Sequence, residues 1–432
     1  MTIPELYDIF IKHPVITTDT RDCPSSSLFF ALRGASFNGN EFALQALEKG
    51  CAYAIVDDDK ITGNERLIHV NDVLATLQEL ATYHRHQLGT PIVQITGTNG
   101  KTTTKELTSA VLSEKFNVLY TQGNFNNHIG VPKTLLRLQK EHEIAVVETG
   151  ANHPGEIAQL SQIVDADCGL ITNVGRAHLE GFGSFEGVIH TKGELYNYLR
   201  KKPNAFIFRD GDNPHLAPIA DGLKSVLYGE AGKNYEVEGE VVECNPYLKF
   251  HFRLKGKEEW HEVQTQLIGA YNVTNVLAAI AVGQHFGVTA EQAAQALAKY
   301  TPTNNRSELI KTEHNQLIVD AYNANPTSMK AALDNFAQIA SKHKMCILGE
   351  MRELGEASAT EHQKVAEQAK ALGCDAVWLV GKEFKPFAKN ARWFADVEAV
   401  KSALSQEGQP TELLILIKGS NGTRLFQLPT LL

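Results

Sequence analysis

The residues most committed to chemistry are Gly97-Thr98-Asn99-Gly100-Lys101-Thr102-Thr103, which follow the apolar run Pro91-Ile92-Val93-Gln94-Ile95-Thr96. Two glycines three apart allow a tight turn whose N–H groups point inward. A helix beginning directly after such a turn adds positive potential, and together they cradle a triphosphate. Lys101 can reach the β- and γ-phosphates, and the Thr102 hydroxyl is placed to ligate Mg²⁺. The loop is two residues shorter than the general phosphate-loop spacing, with Ile95 where a first glycine would stand. A Gly-x-x-Gly-Lys turn also arises on surfaces by chance. The strand before it and the helical segment after it point instead to nucleotide, with ATP as the expected cofactor.

Ligands of open α/β sheets collect at the carboxyl ends of strands. Glu148 closes the run Ile144-Ala145-Val146-Val147, and His178 comes five residues after Asn173, which follows Gly169–Thr172. A carboxylate and an imidazole beside Thr102 can hold one or two Mg²⁺ ions that bridge phosphates. Singly, Glu148 reads equally as a capping or salt-bridged carboxylate, and His178 as a satisfied loop histidine. Lys192, in His190-Thr191-Lys192-Gly193-Glu194-Leu195, reads as a surface lysine on a helix. Asn272 and Asn275 lie one helical turn apart and can read a purine edge, with N-capping the plainer role for Asn272. Arg306 and Asp320 flank the start of a third domain, where they can hold phosphate and ribose or serve structure. Gln122-Gly123-Asn124-Phe125-Asn126-Asn127-His128 suits a carbohydrate or peptide ligand, or forms a solvated turn.

The elements that must position these groups follow from periodicity. From Pro91 on, runs apolar on both faces (Ile92–Thr96, Val118–Tyr120, Ile144–Glu148, Gly169–Thr172, Ala205–Phe208) alternate with helical segments, which predicts a parallel sheet covered on both sides. Tyr235–Ile268 alternates apolar and charged residues, so a small antiparallel extension is expected there, followed by helices at about Asn272–Phe286 and Thr289–Lys299. The turn-rich Thr301-Pro302-Thr303-Asn304-Asn305 precedes a second α/β alternation: Leu317–Asp320, Met345–Leu348, Ala376–Val380 and Leu413–Ile417. Ahead of Pro91, strands at Ser27–Leu32 and Ala52–Val56 bracket a helix near Phe42–Glu48, and Val73–Gln87 has helical spacing. The expected class is α/β in three domains: 1–88, a central phosphate-loop domain 89–302, and a Rossmann-like domain 303–432.

Bulk properties agree. A chain of 432 residues exceeds one hydrophobic core, and 43% hydrophobic with 21% charged residues is ordinary globular composition. A net charge of -9 argues against a nucleic-acid or anionic-membrane binder. Met1–Phe10 carries Glu5 and Asp8 rather than a basic-then-apolar leader, and no apolar run approaches the ~20 residues that cross a bilayer. Six cysteines without a C-x-x-C pair fit reduced thiols, so a cytoplasmic protein is expected.

Several motifs, in order, resemble those of the Mur ligases, which add amino acids to the bacterial peptidoglycan precursor. They are Asp19-Thr20-Arg21, the phosphate loop, Gly123–Asn127, Glu148–Ile157, Ala177-His178-Leu179-Glu180-Gly181-Phe182-Gly183-Ser184, Thr191–Glu194, Asp320–Asn325 and Leu348–Gly355. The forms at Ala177–Ser184 and Tyr322-Asn323-Ala324 are similar to the branch that adds D-alanyl-D-alanine to UDP-N-acetylmuramoyl-tripeptide. They differ from the branch adding the third residue and from folylpolyglutamate synthetase, the nearest alternatives. A nucleotide switch is the alternative of a different class, but the chain lacks the Asn-Lys-x-Asp element of guanine-reading switches.

The resemblance implies a catalytic set of Lys101, His178 and Lys192. Gly97 to Thr103, Asn272, Asn275, Arg306 and Asp320 would hold ATP. Thr102, Glu148, His178 and Lys192 would serve Mg²⁺, with Lys192 carbamylated by CO₂. Thr20 and Arg21 would meet the UDP end of the precursor. Asn124, Asn126, Asn127, Asn323 and Asn325 would meet the rest of the substrates, and a monomer is expected. The chain departs from common family forms at Asn38, Asn40 and Asn421.

Overall fold

The β-branched run Ile92–Thr96 is buried at every position and lies inside a nine-stranded sheet. Across that sheet the strand order is His261–Ile268, Tyr247–Leu254, Val237–Cys244, Lys224–Glu230, Phe206–Asp210, Cys168–Ile171, Ile92–Thr96, Ile144–Glu148 and Val118–Tyr120. All neighbours pair parallel except at the end, where Tyr247–Leu254 runs antiparallel to both its partners. The expected antiparallel extension is therefore the edge of the central sheet itself, because Val237–Cys244 also pairs parallel with Lys224–Glu230. This computed structural model describes residues 1–302 and 306–432. Thr303, Asn304 and Asn305, where the sequence reading sets a domain boundary, lie outside the described residues.

Four short parallel strands, Ile16–Thr17, Leu28–Phe30, Tyr53–Val56 and Leu67–His69, form the first sheet. The helix Val73–Leu88 links it to the central domain. It starts at Asp72, whose carboxylate accepts from the Ala75 N–H at 2.7 Å, and stops at Gly89, where φ is 66°. Leu77, Leu80 and Ala81 on its buried face join Phe30 and Ile55 of the first sheet to Leu135 and Leu160 of the central domain in one core. Arg85 Nη2 to Asp167 at 3.0 Å ties the helix end down.

The third sheet has six strands in the order Glu308–Lys311, Gln316–Asp320, Leu414–Lys418, Lys344–Gly349, Ala376–Val380 and Arg392–Phe394; only the first pairing is antiparallel. A separate apolar core covers each of its faces. Cys346 and Cys374, far apart in sequence, bring their sulfurs to 3.8 Å here, which spacing alone did not foretell.

Candidate active site

The phosphate loop leaves the carboxyl end of Ile92–Thr96 between the strands Ile144–Glu148 and Cys168–Ile171. Register sets Ile95 beside Glu148 and Thr96 beside Ile171. Gly97 has φ 143°, and a Cβ there would lie 2.0 Å from Thr172 Oγ1, so only glycine fits. Gly100, at φ 77°, is the N-cap of the helix Lys101–Ser113. The loop is braced from the next strand: Asn173 Oδ1 accepts from the Asn99 N–H at 3.0 Å, and Asn173 Nδ2 donates to Asn99 O at 3.0 Å. Lys101 Nζ turns back onto the loop and donates to Gly97 O and Thr98 O, each at 2.9 Å. Its pKa is lowered by burial and by nearby Arg306, with Glu148 opposing.

Thr102 Oγ1 donates to Glu148 Oε2 at 2.9 Å, and the other carboxylate oxygen accepts from Asn126 Nδ2 at 2.8 Å. Asn126 therefore orients Glu148. Asn127 Oδ1 accepts from the Ile129 and Gly130 N–H groups at 3.1 and 2.8 Å, just ahead of the short helix Gly130–Leu135. Lys192 is the clearest correction to the sequence reading. It is 2% exposed, not a surface lysine. Its Nζ donates to Ala151 O at 3.3 Å and sits 5.2 Å from the Phe182 ring centroid. Burial, with Lys101 nearby, lowers its pKa to about 7. His178 has its Nδ1 on the Glu353 carboxylate and its ring edge-on to Phe182. Its pKa is lowered chiefly by burial, with Lys101 and Lys192 adding to the shift against Glu353.

Asn272 is not the helix N-cap, which is Tyr271; its Nδ2 donates to Ile268 O at 2.9 Å, and its Oδ1 accepts from Asn275 Nδ2 at 2.8 Å. Asn275 Oδ1 accepts from Thr104 Oγ1 at 3.1 Å, which locks this pair behind the phosphate loop. From the third domain come Arg306, stacked on Tyr322 at 4.1 Å with its buried Nε unpartnered among the described residues, and Asp320, held by Lys418 Nζ at 2.5 Å. Lys101, Thr102, Arg306 and Asp320 face one cavity of about 800 Å³ between the central and third domains, with Asn127, Glu148, His178, Asn272, Asn275 and Asn323 on its wall; Lys192 is not among its lining residues.

Other candidates fall elsewhere. Thr20 and Arg21 lie in the first domain, Arg21 exposed and paired with Asp19 at 2.6 Å, and Asn124 is exposed. Asn325 caps the helix Pro326–Gln338 and exchanges hydrogen bonds with Asn99, its Nδ2 donating at 2.7 Å, so its amide is already engaged. Sequence reasoning gave no role to Lys418, Tyr271 or Glu353. Lys418 carried a usable signal, because it closes a fully buried strand at the carboxyl edge. Glu353 falls inside the motif Leu348–Gly355, but nothing in that stretch points to its partner 175 residues away.

Residues 95–283 match the model of the Mur ligase middle domain, 305–421 that of the Mur ligase glutamate ligase domain, and 14–87 that of the Mur ligase family catalytic domain. The chain is 37% identical to the UDP-N-acetylmuramoyl-tripeptide--D-alanyl-D-alanine ligase of Bacillus subtilis (strain 168), over 97% of this chain and 93% of that one. The chain belongs to the Mur ligase family. The identically named protein of Escherichia coli (strain K12) is 35% identical to this Mur ligase, over 98% of this chain and 94% of its own. A crystal structure of MurF from Acinetobacter baumannii superposes with a TM-score of 0.85 at 32% identity, covering 96% of this ligase and 92% of that chain. The three-domain α/β architecture expected from sequence is thus the family's, and the protein is a ligase. Among the described residues, no helix is long and apolar enough to cross a membrane.

Proposed function

We propose that this Mur ligase joins D-alanyl-D-alanine to the terminal carboxylate of UDP-N-acetylmuramoyl-tripeptide, converting ATP to ADP and phosphate. The relatives' names carry that reaction, and one observation supports it most directly: Lys101, Glu148 and Arg306, from two domains, face a single cavity. A carboxylate is a poor electrophile, so amide formation in water needs activation. Transfer of the γ-phosphoryl to the carboxylate oxygen gives an acyl phosphate; the D-alanyl amine then attacks the carbonyl carbon, and phosphate leaves with the C–O bond electrons. Lys101 and Arg306 neutralise charge on the transferring group, and the loop N–H groups from Thr98 to Thr103 hold the remaining phosphates. Asn272 and Asn275 form the wall for the adenine, and Asp320 takes the ribose.

The donor set fits a divalent cation. Thr102 Oγ1 and Glu148 Oε2 are hard oxygens 2.9 Å apart on a buried floor beside Lys101, with His178 on the same cavity. Thr102 and Glu148 would hold Mg²⁺ there, and it would supply neutralisation of the phosphates' charge. Lys192 is the carbamylation candidate: a buried amine with a pKa of about 7 is substantially unprotonated at neutral pH and so nucleophilic towards CO₂. The carbamate would replace a buried cation by an anionic oxygen donor. Thr20 and Arg21 take the UDP end, and Asn124, Asn126, Asn127 and Asn323 the peptide side. Asn325 acts through its helix cap. Domain limits of 1–88, 89–302 and 303–432, cytoplasmic location and a monomeric state belong to the same reading.

Phosphate release from ATP tests it. Release should require both the UDP-tripeptide and D-alanyl-D-alanine. Equal release from ATP alone would favour a nucleotide switch, and release with a single diamino acid on a UDP-dipeptide would favour the ligase that adds the third residue.

A further inference from the structure

We propose that Glu353 is a positioning residue, delivered by the third domain to the Nδ1 edge of His178, so that the imidazole is set for its role only when the third domain is docked. The inference rests on the ligase reading above and assigns a function to a residue outside its set of candidate ligands. Glu353 follows the strand Lys344–Gly349, and its carboxylate meets His178 Nδ1 across the domain interface. A carboxylate accepts only, so the hydrogen sits on Nδ1 and the Nε2 lone pair is left on the opposite edge of a ring that lines the cavity.

The surroundings fix this contact from several sides. His178 and Glu353 are both non-glycine residues in the left-handed region, at φ 50° and 59°. Such conformations persist where the surrounding structure over-determines them, and they concentrate at functional sites. The Glu180 N–H donates to Glu353 O at 3.2 Å, which joins the two loops through the backbone as well. Around them the domains are stitched by Asn325 Nδ2 to Asn99 Oδ1 at 2.7 Å and by the Arg176 N–H to Thr327 Oγ1 at 3.2 Å. Phe182 backs the His178 ring at 6.0 Å and also lies under Lys192, so a tilt of the ring would disturb that lysine's surroundings too. Glu353 is half exposed, and as a plain ion pair it would add little stability. What the contact sets is ring orientation and tautomer.

The experiment compares the full-length protein with Glu353→Gln and Glu353→Ala. With no substrate present, long-range ¹H–¹⁵N spectra of histidine-labelled protein report which ring nitrogen carries the hydrogen, the His178 signal being assigned by its loss in His178→Gln. The wild type should show Nδ1–H, Gln should keep it through its amide oxygen, and Ala should lose it. In ligation, Ala should lower kcat about ten- to hundred-fold while KM for ATP stays within about two-fold, and Gln should recover most of the turnover. A wild-type Nε2–H tautomer overturns the proposal even if neither variant folds. So does an unchanged tautomer in Ala, or equal turnover in the two variants. The spectra need no substrate, so failure here is distinct from failure of the ligase reading, which the wild-type phosphate-release assay decides.

Discussion

Lys101, half-buried, and Lys192, fully buried, are amines near one another, and their context separates their roles. Lys101 bonds to its own loop carbonyls, where the phosphates of a nucleotide would replace them as partners. Lys101→Ala should lower ligation by at least about 10²-fold through lost charge stabilisation. Thermal unfolding should show the fold intact, and normal turnover would refute the assignment. Lys192 has a pKa near 7 in the folded chain against an ordinary 10.5. Between those values the unfolded chain binds more protons, so this group's penalty on stability is complete below pH 7 and shrinks as pH rises through the window. In CO₂-free buffer, Lys192→Met should therefore raise Tm, and raise it more at about pH 6 than at about pH 9. Added bicarbonate should restore wild-type turnover lost in that buffer and do nothing for the variant. The sequence showed Lys101 through its neighbours, but Lys192 sits on a mixed helix whose buried side only packing defines.

Elements place these residues because each begins or ends where the sheet changes from apolar to polar. The strands Ile92–Thr96 and Ile144–Glu148 were legible to the residue, since buried parallel strands read as continuous apolar runs. Of the three-residue edge strands, Val118–Tyr120 was read with its bounds, whereas Leu67–His69 and Arg392–Phe394 were not, since three residues are too few to show a period. At the end of Ile92–Thr96, Gly97→Ala would drive a Cβ into Thr172 Oγ1. That variant should lose nucleotide affinity in calorimetry and unfold at a lower temperature than wild type. Asn325→Ala removes a capping box and should cost about 1 kcal/mol in urea unfolding. If Asn325 instead binds substrate directly, KM for a substrate should rise well beyond what that destabilisation accounts for.

Across the whole molecule the three sheets are not equally independent. One core runs from the first sheet through the helix Val73–Leu88 into the central domain, whereas the third sheet packs largely between cores of its own. The third domain meets the central domain at the phosphate loop and the His178 segment through polar contacts such as Asn99–Asn325 and His178–Glu353. Calorimetry should therefore resolve two unfolding transitions, with the first and central domains melting together. Leu80→Ala, in the shared core, should lower only their transition, by about 2–5 kcal/mol of stability. A single transition shifted as a whole would mean that the polar interface couples all three domains. A polar interface of this kind also allows the third domain to swing, so that Arg306 and Asp320 reach a nucleotide only on closure.

The sequence alone determined the phosphate loop, the parallel strands that carry it and the family motifs, because these are written in consecutive residues and local periodicity. Tertiary structure decided what needs partners from distant segments: the burial that makes Lys192 a weakly basic amine, the Asn126 and Thr102 grip on Glu148, and the meeting of His178 with Glu353. Burial and pairing are properties of packed neighbours: His178 and Glu353 each lie in a legible motif, but their pairing across 175 positions is written in neither.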